Sequence, residues 1–84
     1  MAYVLKADGT AWEQKPRNEV AFTPPEIQVL VHGDIEVIKL PWHGLMFVNE
    51  EGVLLGLPWN VKASGVAEQR IVGDVLLGES DEFE

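Results

Sequence analysis

The chain has no cysteine. That excludes disulfides, thiolate zinc sites and thiol nucleophiles together. Small secreted domains usually lean on disulfides, so their absence favours a reducing compartment, and we expect a cytoplasmic protein. Histidine is nearly as scarce. His32 and His43 fall eleven residues apart in separate turns, without helical spacing, so no metal site is expected. Positive charge is in short supply, with six Lys and Arg against 14 Asp and Glu, for a net charge of −8. Such a surface repels phosphate backbones, which argues against nucleic acid as a partner. No apolar run approaches the ~20 residues that span a bilayer. The N-terminus has no basic stretch followed by an apolar one, so neither a membrane association nor a signal peptide is expected.

The parts of a reactive site are missing too. Glu50 and Glu51 are adjacent in sequence, so their carboxyl groups point apart rather than forming an acid–base pair. Ser64 has no histidine near it in sequence to activate it. Gly73-Asp74 is too short for a phosphate loop and is not followed by lysine. We therefore expect no catalytic residue and no cofactor, and read the chain as a non-enzyme.

The 84 residues are 46% hydrophobic, enough for one small core. Residues 1–77 read as a single domain. Residues 78–84, with four acids and no base, read as a solvated acidic tail. Tyr3–Ala7 and Thr10–Gln14 predict a hairpin around Asp8-Gly9. Lys15–Phe22 reads as loop. Thr23-Pro24-Pro25-Glu26 predicts a helix start, with Thr23 as cap, Pro24 at the first helical position and Glu26 completing a capping box. Ile27, Leu30 and Val31 make one apolar face, and Gly33 is expected as the left-handed stop. Strands are predicted over 34–40, 45–48, 53–57 and 75–77. The first of these alternates imperfectly, which predicts a bulge or a strand covered on both faces. Gly52, closing the turn at 49–52, is expected to take positive φ. Asn60 is expected to cap a short second helix ending at Ala67. The fold class is α+β: a small, mainly antiparallel β-sheet meander with one packed helix and a second short one.

Two of the three tryptophans follow prolines, Pro41-Trp42 and Pro58-Trp59. Proline stiffens the backbone, so each indole is aimed rather than loose. With His43 beside Trp42, and Asn49 and Asn60 offering paired amide donors and acceptors, they form the candidate ligand site. Lys62 and Ser64, in the first turn after Asn60, complete it as an anion-receiving group. Packing in a thin core is the competing role for the two indoles, and capping is the competing role for Asn60.

Three segments resemble blocks of a known family. They are Ile27–Val37 with its helix-glycine-strand pattern, Met46–Asn60 with Asn49-Glu50-Glu51-Gly52 and Leu57-Pro58-Trp59-Asn60, and Ile71–Val75. Together, over roughly residues 24–77, they are similar to a domain-of-unknown-function family of small phage, plasmid and other mobile-element proteins. His32 departs from it, standing where relatives often carry a second glycine. The resemblance implies a bacterial host cytoplasm and no particular chemistry. Two functions are weighed. The favoured one is a small-ligand-binding protein that sequesters a host signalling nucleotide in counter-defence. One 84-residue chain is small for a pocket of ~300 Å³ or more, so this reading expects the site between subunits of a homo-oligomer. The other is an acidic protein–protein inhibitor, a nucleic-acid mimic acting on a host protein.

Overall fold

The computed structural model describes all residues from Met1 to Glu84. Five strands form one antiparallel sheet: β1 (Ala2–Leu5), β2 (Ala11–Gln14), β3 (Ile35–Lys39), β4 (Gly44–Asn49) and β5 (Val75–Glu79). Two helices connect them, α1 (Pro24–Val31) and α2 (Val61–Ala67). The class is the expected small α+β fold, but the order is not a meander. The sheet runs β2-β1-β5-β4-β3, so the last strand slots between two hairpins. Segment 53–57 contributes no strand; residues 50–56 are a run of turns.

Both faces of the sheet are covered. On one, Phe22, Ile27 and Val31 pack with Val4, Phe47 and Leu76. On the other, Ala63 and Ile71 pack with Leu5, Met46, Val48 and Val75. Strands buried on both sides read as continuous apolar runs rather than alternating ones. This is why Met46-Phe47-Val48 and Val75-Leu76-Leu77 show no polar alternation. At the edge of the sheet, β3 within the expected strand over 34–40 is only partly covered, with no buried residue and with Glu36 and Val37 exposed. The pairing of β3 with β4 has no bulge, while Ile35 packs toward the first core and Ile38 toward the second.

The ends of α1 differ from expectation. Thr23 makes no side-chain cap bond. The Glu26 carboxylate instead accepts from the Arg17 backbone N–H at 2.8 Å, so no capping box forms there. Two successive prolines remove two of the donors a cap would serve. At the other end, His32 rather than Gly33 takes the left-handed conformation, at φ 66°. Gly33 is needed for closeness: a Cβ there would lie 2.8 Å from the Asn49 amide nitrogen. Gly52 likewise is absent from the positive-φ residues and instead lets Val72 approach.

The last seven residues are not a loose tail. Gly78 and Glu79 finish β5, and Ser80–Glu82 form a 3₁₀ turn closed by a Glu79–Glu82 capping box. Phe83 then returns to the core, its ring 4.4 Å from that of Phe47 and 5.6 Å from that of Phe22. Backbone bonds from Phe22 N–H to Glu82 O and from Glu84 N–H to Phe22 O fasten it.

Candidate functional site

The two asparagines proposed as ligand contacts are structural fasteners. Asn60 is fully buried. Its amide nitrogen donates to Leu5 O at 2.8 Å and Gly73 O at 2.9 Å, while its oxygen accepts from Ala63 N–H at 3.0 Å. One side chain thus caps α2 and ties it to β1 and to the turn entering β5. Asn49 does the same on the opposite flank. It donates to Val31 O and His32 O and accepts from Glu51 N–H. No buried side-chain polar atom lacks a partner.

The residues around Asn60 are similarly occupied. The Ser64 hydroxyl donates to backbone oxygen, with Asn60 O at 2.7 Å. It also accepts from Ile71 N–H at 2.8 Å and from the Trp59 indole at 2.9 Å. Lys62 donates to Gly9 O at 2.6 Å, joining α2 to the first hairpin turn. The anion-receiving group expected at this helix start therefore has its side chains engaged within the fold.

The two indoles do not converge. Trp59 bridges Val72, just before β5 begins, whereas Trp42 leads into Gly44, which pairs with Glu79 at the far end. The five residues of β5 lie between them, roughly 15 Å along the strand. Each ring is about half exposed, 49% for Trp42 and 56% for Trp59. Arg70 lies over the Trp59 ring at 5.9 Å. Trp42 shares an open hollow of about 330 Å³ with His43, Glu79, Ser80 and Asp81. His43 holds φ 64° in that turn, and its carbonyl accepts from Ser80 N–H. A pocket joining both indoles to Asn60 is thus not formed within one chain.

Two features escaped the sequence reading. His32 Nε2 lies 3.0 Å from Asp74, whose other carboxylate oxygen accepts from Ala7 N–H. The signal was the echo between His32-Gly33-Asp34 and Val72-Gly73-Asp74, two glycine turns that feed neighbouring regions of the sheet. The second is the run Val53-Leu54-Leu55, exposed on its loop instead of paired in a strand. Its signal was the bracketing by Gly52 and Gly56. The carboxylates of Glu79, Asp81 and Glu82 also gather together. The capping box and the Met1 amino group, 3.1 Å from Glu82, account for two of them.

A family model described as a domain of unknown function, DUF3846, matches residues 2–84. The chain belongs to that family. Its match takes in the first hairpin and the C-terminal 3₁₀ turn, both integral to the fold. No curated protein and no solved structure matches the chain. No helix is long and apolar enough to cross a membrane.

Proposed function

We propose that this DUF3846 chain is a non-enzymatic protein of a phage, plasmid or other mobile element. In a bacterial cytoplasm it would bind a basic surface of a host protein and inhibit it. The observation that carries the proposal is the state of the charges. Only one ion pair forms, from the Met1 amino group to Glu82, beside a hydrogen bond between His32 and Asp74, and no lysine or arginine takes part. Three of the six bases are directed elsewhere: Lys6 over the Trp12 ring, Arg70 over the Trp59 ring and Lys62 onto a carbonyl. The 14 carboxylates thus have no lysine or arginine within ion-pair distance, and acids exceed bases by eight. Such a field steers and holds a cationic partner. The saturated Ser64 hydroxyl supports the non-enzymatic part of the proposal.

A small ligand, such as a nucleotide held between copies of the chain, is the second reading. The half-exposed Trp42 over its hollow favours it. The Glu79 and Asp81 carboxylates lining that hollow oppose a phosphate-bearing ligand. Two measurements separate the readings. Thermal-shift screening with linear and cyclic nucleotides is expected to show no stabilisation. Interferometry against basic, nucleic-acid-processing bacterial enzymes is expected to show binding that weakens with salt and competes with DNA. Stabilisation by a nucleotide, with no enzyme bound at any salt, overturns the inhibitor reading.

A further inference from the structure

Residues 49–57 form a loop that is tightly bonded yet apolar on its outside. Glu51 N–H reaches the Asn49 side chain, and Gly52 N–H reaches Asn49 O. Leu55 N–H reaches Glu51 O, Gly56 N–H reaches Val53 O, and Leu57 N–H reaches Gly52 O. On this fixed frame Val53, Leu54 and Leu55 are 82%, 85% and 60% exposed. Isolated apolar side chains on a surface are ordinary, but three in succession on a rigid loop mark an interaction surface. Beside them lies a groove of about 150 Å³, lined by Ile38, Val48, Ile71 and Val72 and walled by Val53. That is below the roughly 300 Å³ of a small-molecule site and suits a single protruding side chain.

The rim defines the occupant. Glu36 and Glu50 line the groove, and Glu51 opens the loop. None of the three has a cationic partner. Arg70, also on the rim, lies over the Trp59 ring. A second copy seated here would bring a second rim with the same excess of acids against this one, between two chains of charge −8 each. A helix with an apolar stripe flanked by lysine and arginine meets complementary charge instead.

We propose that the 50–56 loop and this groove form the docking surface for a basic amphipathic helix of the partner protein. Its aliphatic side chains would seat on Val53, Leu54 and Leu55, and its cations against Glu36, Glu50 and Glu51. This rests on the protein-binding reading and adds the location and the chemistry of the contact.

The probe is a labelled synthetic peptide of about 18 residues, five helical turns, with leucines on one face and lysines beside them. A scrambled peptide of the same composition and an acidic analogue serve as comparisons, read by fluorescence anisotropy at low salt. The ordered basic peptide is expected to bind, and the acidic analogue is not. Scrambling the peptide, or changing Leu54→Ser in the protein, is expected to weaken binding about ten-fold, the effect of losing an apolar anchor. Val20→Ser removes an equally exposed apolar side chain ahead of α1 and is expected to leave affinity unchanged. Both substitutions are at the surface, and unchanged thermal midpoints establish that the variants fold. Binding that is indifferent to Leu54→Ser and to scrambling overturns the docking surface while leaving the acidic-inhibitor reading standing. No binding of any cationic peptide removes both. Sedimentation showing a dimer that Leu54→Ser dissolves would assign the surface to a second copy and overturn the proposal.

Discussion

Asn60 concentrates more of this fold's connectivity than any other side chain, because its three bonds join three separate segments in the dry interior. Asn60→Ala leaves two carbonyls and one N–H without their partner. We expect a loss of about 3 kcal/mol, a large share of the 5–15 typical of a domain. Urea unfolding measures it. Asn60→Asp keeps the cap but aims a carboxylate at two carbonyl oxygens. The introduced carboxyl should lose less stability in acid, where protonation restores a donor, than at neutral pH. Asp8 works in the opposite sense. The hydroxyl and then the backbone N–H of Thr10 hold its carboxyl below the usual range. A depressed folded value means the contribution is complete above the unfolded pKa and disappears as pH falls through the folded one. Asp8→Asn should therefore be less stable than wild type at pH 7. That difference should close below about pH 4, as paired urea curves would show. The capping role of Asn60 was legible in the sequence, since an asparagine ahead of a helical stretch has that chemistry. Its bonds to Leu5 and Gly73 were not, because nothing local to residue 60 indicates which carbonyls will be stacked against it.

The C-terminal element is the clearest case of composition misleading. Gly78–Glu84 has the charge of a solvated tail, yet Phe83 is held between Phe22 and Phe47 and the acids cap their own turn. Phe83→Ala should cost about 2 kcal/mol, below the 3–5 of a fully buried ring because Phe83 is only partly buried. A chemical-denaturation midpoint lowered without a change in slope would establish it. Deleting residues 79–84 would remove Phe83 and the 3₁₀ turn along with the charge, and so cannot isolate the charge. Asp81→Asn with Glu84→Gln can, and we expect stability equal to wild type within about 0.5 kcal/mol. The 53–57 segment failed in the reverse direction. Its β-branched and leucine content suggests a strand, but the sheet already has its partners for β4 in β3 and β5. With no free edge beside β4, the segment folds on itself and the side chains of Val53, Leu54 and Leu55 face outward.

For the whole molecule, the unpaired carboxylates set the balance of long-range forces. With 14 acids and no Lys or Arg in an ion pair, like-charge repulsion opposes the compact state. Raising sodium chloride from about 0.02 M to about 0.5 M should shorten the screening length from roughly 20 Å to 4 Å and raise Tm by a few degrees. A falling Tm would mean that the charges are arranged favourably after all. The same repulsion that weakens the free protein is relieved by a cationic partner, so the partner should stabilise it through linkage.

Several properties of this chain follow from local chemistry alone. Absent cysteine rules out disulfides, a Pro-Pro start and an asparagine cap place two helices, and apolar runs mark strands. These require only the residue and its neighbours. The insertion of β5 between two hairpins, the recruitment of Phe83 into the core and the separation of Trp42 from Trp59 were decided in three dimensions. Each depends on which distant segments compete for the same edge or face of the sheet. That competition is settled by burial summed over the whole chain, a quantity no window of sequence contains.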